Sequence, residues 1–180
     1  YERSGEFTSG EVIVNWEDNN GVFTRKLFVS RPDNLVVLKF SSDEGASINT
    51  TLSLSKIIRH DVGRIEKFNL DDNFCIKKVE SGTMDNGLYF KAWYERPWEF
   101  ESRKSFKGYE GVVQVLRSDG KIEMDSDRLI LRDATDVLIV ARIEPSDNME
   151  ESRVLEMSNA LKSYDGTYDE LLAVHKKIHK

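Results

Sequence analysis

Cysteine is nearly missing from this chain. Cys75 stands alone among 180 residues, so neither an internal disulfide nor a multi-cysteine metal centre can form, and the compartment stays open. No apolar run approaches the roughly 20 residues of a membrane-spanning helix. No secretory leader is visible. The chain opens at Tyr1 rather than a methionine and closes at Lys180 inside the apolar-periodic run Leu171, Leu172, Val174, Ile178, so both ends read as cuts. A basic excess is lacking as well: 26 Lys and Arg face 32 Asp and Glu, a net charge of −6, which argues against a nucleic-acid partner. No phosphate-binding loop or dinucleotide fingerprint occurs; Gly108 and Gly111 are close together but lack the strand-then-helix setting. No G-x-S-x-G nucleophile motif, fixed-period repeat or low-complexity tract is present.

What remains is a globular composition, 39% hydrophobic and 32% charged, long enough for one domain with a real core. Val12, Val14 and Trp16 alternate with polar residues, Asn19-Asn20-Gly21 interrupts, and Phe23, Leu27 and Val29 resume the period. Period two with an Asn/Gly turn predicts a hairpin over 11–30. Arg31-Pro32-Asp33-Asn34 is a turn. The nearly all-apolar run Leu35 to Phe40 predicts a strand covered on both faces. Ile48, Thr50, Leu52 and Leu54 alternate as a half-buried strand.

Residues 57–73 read as a long loop. Strands over 74–79 and 88–94 flank a turn spanning Ser81 to Gly87. Residues 95–111 read as a loop or inserted hairpin. Val112 to Leu116, the turn Ser118-Asp119-Gly120 and Lys121 to Met124 predict another hairpin, with Asp-Gly as its signal. Arg128 to Leu131 is a short strand, and Asp136 to Ile143 a central one that Pro145 ends. The period then becomes helical through Val154, Leu155, Met157 and Leu161. Thr167 and Glu170 form a capping-box pattern, ahead of a face shared by Tyr168, Leu171, Leu172 and His175. The expected fold is therefore mainly β: an antiparallel β-sandwich with two C-terminal helices, residues 1–145 forming the sandwich and 146–180 a helical linker.

The residues that carry chemistry are few. His175 and His179, four apart on a helix, could share a metal, but Lys176, Lys177 and Lys180 repel a cation, so both read as solvated and no metal or cofactor is expected. His60-Asp61 resembles a base and its orienting carboxylate, without a nucleophile to serve. Asp71-Asp72, Glu95, Glu99, Glu101, Asp125 and Asp127 are numerous, yet glycosidic chemistry requires two carboxylates facing across a cleft; they read as solvated surface. Cys75 reads as a small buried hydrophobe. Asn49-Thr50-Thr51 matches a glycosylation sequon, meaningful only in a eukaryotic secretory context.

The aromatics are the best local feature. Trp93, Tyr94, Trp98, Phe100, Phe106 and Tyr109 crowd together beside Glu95, Arg96 and Arg103. Sugars present C–H faces to aromatic rings and hydroxyls to charged or amide groups, so Trp93, Trp98, Tyr109 and Arg96 are candidate sugar contacts. The same cluster serves equally to pack down a long loop.

With these residues in view, the chain resembles a family. Tyr1-Glu2-Arg3, the hairpin through Asn15 and the stretch from Phe23 through Arg31-Pro32-Asp33-Asn34 to Phe40 look like the N-terminal β-domain of glycoside hydrolase family 95, which includes α-L-fucosidases and α-L-galactosidases. Lys26 departs from the pattern, standing where Glu is expected. Gly111 to Ile143, with Asp127-Arg128-Leu129-Ile130-Leu131-Arg132-Asp133-Ala134, fits in order, and Ser163-Tyr164-Asp165-Gly166-Thr167-Tyr168-Asp169-Glu170-Leu171-Leu172-Ala173-Val174-His175 looks like the helix leading from this domain into the catalytic one. The resemblance implies a super-sandwich similar to that of glycoside hydrolase family 65. It implies catalytic Glu, Asp and Asn residues in an (α/α)₆ barrel beyond Lys180, and no catalytic residue within this chain. It also implies sandwich strands lying before Tyr1, so that the sandwich here is incomplete. A periplasmic or secreted location follows from the resemblance alone. The expected function is a non-catalytic domain that packs on and positions the barrel of the same polypeptide. The alternatives are a free-standing carbohydrate-binding module using Trp93 to Tyr109, with oligosaccharide as partner, and an enzyme acting through His60.

Overall fold

A computed structural model describes residues 1–54, 76–94 and 106–179. The expectations placed on 57–73, on Phe74 and Cys75, on His60-Asp61 and Asp71-Asp72, and on Glu95, Arg96, Trp98, Glu99, Phe100, Glu101 and Arg103 lie outside the described residues.

Eleven strands are described: β1 (Glu2–Glu6), β2 (Glu11–Asp18), β3 (Gly21–Ser30), β4 (Leu35–Ser42), β5 (Ile48–Ser53), β6 (Ile76–Met84), β7 (Gly87–Tyr94), β8 (Gly108–Ser118), β9 (Lys121–Asp125), β10 (Arg128–Ala134) and β11 (Asp136–Ser146); helices α1 (Val154–Lys162) and α2 (Tyr168–His179) follow. The strands form two sheets, an eight-stranded one ordered β1-β2-β3-β4-β11-β8-β7-β6 and a three-stranded one ordered β5-β10-β9. All pairings are antiparallel. The fold is thus the expected mainly-β, antiparallel two-sheet architecture with two C-terminal helices.

The central strands of the large sheet are covered on both faces. Phe28, Val37, Val112 and Val140, all with no exposed surface, meet Met157, Leu161 and Leu171 from the helices. On the other face Phe23, Leu88, Val137 and Ile139 meet Leu129, Leu131 and Ile48 from the small sheet. Each such side chain removed from water contributes about 1.5–3 kcal/mol. β4 supplies Leu35 and Val37 to the first layer and Leu38 and Phe40 to the second, which explains its unbroken apolar run.

The 11–30 hairpin forms as expected, with Asp18 paired to Gly21. The positive φ falls on Gly21, at 134°, and a β-carbon there would sit 2.3 Å from that of Ala46. The 81–87 turn is tighter than expected: β6 runs to Met84, and Asp85 and Asn86 alone make the turn at φ 36° and 60°. Two-residue turns of this hand match the twist of the strands they join.

Two further expectations fail for physical reasons. Asp119-Gly120 does not close a hairpin. β8 is already paired with β7 and β11 on both edges, so the chain leaves the large sheet there and β9 pairs with β10 in the small one. Pro145 does not end the sheet either. It pairs in register with Tyr109, β11 continues to Ser146, and the Ser146 carbonyl accepts the Lys107 N–H at 2.7 Å.

The capping box is present: the Thr167 N–H donates to Glu170 Oε2 at 2.7 Å and the Glu170 N–H to Thr167 Oγ1 at 3.3 Å. α1 has no side-chain cap of its own. Glu110, 1% exposed on β8, supplies one, accepting the Arg153 N–H at 2.9 Å and the Ser152 hydroxyl at 2.7 Å. A carboxylate at a helix N-terminus satisfies orphan donors and meets the positive end of the helix dipole.

Candidate functional site

The expected aromatic platform comes apart in the register of β7 and β8. Ala92 pairs with Tyr109 and Trp93 with Gly108. Side chains alternate along a strand, so Trp93 and Tyr109 project from opposite faces of the sheet and cannot flank one sugar ring. Lys78 Nζ lies 4.5 Å from the centre of the Trp93 ring, occupying one of its faces. Tyr109 meets Tyr94 edge to face at 5.3 Å. Trp98 and Arg96 lie outside the described residues.

Of the two histidines on α2, His175 is buried rather than solvated and His179 is half-buried. His175 is 2% exposed, stacks on Phe28 at 5.3 Å and touches His179 at 5.0 Å between ring centres. Its face of α2 also carries Tyr168, whose hydroxyl donates to the buried Glu11 carboxylate at 2.8 Å. His179 Nε2 donates to the Phe7 carbonyl at 3.1 Å. Burial, then the neighbouring His179, lowers the His175 pKa. The pair therefore locks α2 onto the turn between β1 and β2. Among the described residues no group of three or more His, Cys, Asp or Glu side chains is placed to hold a metal.

Clefts open on the surface of the described residues at two places of note. One, of about 500 Å³, lies between the turn end of the β2–β3 hairpin and the start of β5, with Trp16, Asp18, Asn20, Phe23, Asn49 and Thr50 on its walls. The other, of about 390 Å³, lies by the β6–β7 turn and includes Asp85, Gln114 and Lys162. Each has one carboxylate on its walls, Asp18 in the first and Asp85 in the second. The Asp85 carboxylate is drawn into an ion pair with Lys162 at 2.6 Å, which holds it below the usual carboxylate range. Asp125 and Asp127 stand exposed at the tip of the small sheet. Sequence reasoning missed the first cleft because its walls come from three separate segments. Trp16, read as one alternating strand residue, was the signal within reach.

No helix among the described residues is long and apolar enough to cross a membrane. Comparison with known proteins bears on the fold and the family. No curated protein matches the chain. Among solved structures, a protein described as a kojibiose phosphorylase from the human microbiome superposes with a TM-score of 0.54 at 13% identity, over 98% of this chain and 24% of its own. The chain thus spans about a quarter of that relative, and the likeness concerns the fold. The family described as glycosyl hydrolase family 65, N-terminal domain, matches residues 1–150. The chain belongs to that family, whose description is that of an N-terminal domain.

Proposed function

We propose that this chain is a non-catalytic N-terminal domain that packs against and positions the catalytic helical barrel of the same polypeptide, in an exo-glycosidase of the α-L-fucosidase type found in glycoside hydrolase family 95. The carrying observation is the family match over residues 1–150, which supports an N-terminal domain of a family 65-like protein; the fucosidase type is drawn from the resemblance along Phe23 to Phe40 and Gly111 to Ile143.

The helices support the packing role. α2 buries Tyr168, Leu171, Leu172 and His175 against the sheet, yet carries Val174 and Ile178 outward at 42% and 54% exposure. Residues four apart lie on one face, so these two form an apolar stripe that a following domain would cover. In this reading residues 146–180 carry the sandwich toward the barrel.

The test is turnover of 4-nitrophenyl α-L-fucoside by this chain and by the longer polypeptide that includes it. The expected result is no hydrolysis by the chain alone and hydrolysis by the longer polypeptide. Turnover by the chain alone overturns the non-catalytic reading. A longer polypeptide that hydrolyses other glycosides but not fucosides overturns the substrate assignment.

A further inference from the structure

We infer that the cleft at Trp16 is a binding site for a neutral oligosaccharide. At about 500 Å³ it falls within the range of small-molecule sites, about 300–1,000 Å³. One wall is aromatic: Trp16 and Phe23 stack with ring centres 5.3 Å apart and planes 17° from parallel. This stack is anchored, since Phe23 is 6% exposed and packs in the core between the sheets with Trp16 against it. A ring held by packing offers a flat apolar surface at little conformational cost.

Much of the rest of the lining is polar in a mixed way. Asp18 is an acceptor, Asn20 and Asn49 carry amides, and Ser47 and Thr50 carry hydroxyls. Part of this inventory is committed to the fold. Asp18 Oδ1 accepts the Asn20 N–H at 2.7 Å, and Asn49 Oδ1 accepts the Asp133 N–H at 3.2 Å. Among the described residues the Asn20 amide, the Thr50 hydroxyl and the Trp16 indole N–H have no hydrogen-bond partner, and a second Asp18 oxygen is free. Sugar hydroxyls both donate and accept, so a carboxylate, amides and hydroxyls around an aromatic face match them group for group. Asp18 is the one charged group on the walls. A negative charge beside the ligand disfavours uronic acids and sulfated sugars, which leaves neutral saccharides. This inference rests on the geometry at Trp16 and stands whether or not a barrel follows the chain.

The experiment is an NMR titration of the intact chain with maltose, cellobiose, lactose and, as the anionic probe, digalacturonate, each to about 20 mM, a range that detects dissociation constants near 1 mM. The expected result is a shift of the Trp16 indole signal by at least one neutral disaccharide and none by digalacturonate. Asn20→Ala, an exposed turn substitution that leaves the core intact, is expected to weaken binding about fivefold or more, and Trp16→Ala to abolish it, while Trp93→Ala changes nothing. No shift at Trp16 with any neutral sugar overturns the inference. So does binding that survives both cleft substitutions, or binding of digalacturonate alone.

Discussion

Asp119 and Thr135 hold together two corners at which the chain changes sheet. The Asp119 carboxylate accepts the Thr135 N–H at 2.8 Å and the Thr135 hydroxyl, and it also accepts the Asp136 N–H at 3.0 Å. Asp119 lies where β8 gives way to β9, Thr135 where β10 gives way to β11. One side chain thus fixes the spacing between the two layers at that end.

These bonds, the Asp136 N–H foremost and then the Thr135 hydroxyl, bring the Asp119 pKa from 3.8 down to about 2. A carboxylate whose folded pKa is lowered stabilises the fold above its unfolded pKa and loses that contribution on protonation. The contribution is therefore full above about pH 4 and disappears as pH falls through about 2. Urea denaturation from pH 5 to pH 2 should show a fall in stability that Asp119→Asn flattens in that window. An unchanged acid limb in the variant contradicts this.

His175 acts over a different window. Burial lowers its folded pKa below the ordinary 6.5, so the unfolded chain binds the extra proton first and stability falls as pH drops below about 6.5. The groups facing it are His179 and Phe28, with the Ser9 main chain, Arg31 and Asp33 also bearing on its charge. His175→Phe should remove most of this slope between pH 7 and pH 5. Thermal denaturation midpoints across that range check it.

Glu110→Ala should cost about 1–2 kcal/mol, because it takes the acceptor from the Arg153 N–H and the Ser152 hydroxyl at the start of α1. Glu110→Gln keeps the shape and an acceptor oxygen and should cost less. Chemical denaturation of both variants ranks them, and the opposite order contradicts the capping role.

Gly120→Ala would place a β-carbon 2.3 Å from the Arg132 carbonyl oxygen and 2.6 Å from the Ala134 nitrogen. Main-chain atoms cannot swing aside, so the loss should be about 1–3 kcal/mol. Gly5 on β1 meets nothing within 4 Å, and Gly5→Ala should change stability by less than about 0.5 kcal/mol. Equal effects at the two glycines contradict this account.

Much of the fold was legible in the sequence because the signals were local. Alternation set the β2–β3 hairpin and β5, the apolar run of β4 declared two covered faces, and Thr167 with Glu170 announced α2. The failures share a cause, which is that their answers lie in pairing between distant segments. Asp119-Gly120 looks like a hairpin turn until β8 is known to have both edges taken. Trp93 and Tyr109 look like partners until the register separates them. His175 looks solvated beside its lysines, yet Phe28 covers it from a strand far earlier in the chain. The Trp16 cleft is assembled the same way, so its aromatic wall was visible and its polar rim was not.

The order of strands across the two sheets also has a consequence during synthesis. β4 and β5 leave the ribosome early, but their neighbours β11 and β10 come from the last third of the chain. Until then one side of β4 and both sides of β5 are unmatched hydrogen-bonding margins beside apolar side chains, the condition under which nascent chains stick to one another. Acquisition of the native state therefore waits on the arrival of Arg128 to Ser146, and a ribosome stalled before that point would release a chain prone to clump.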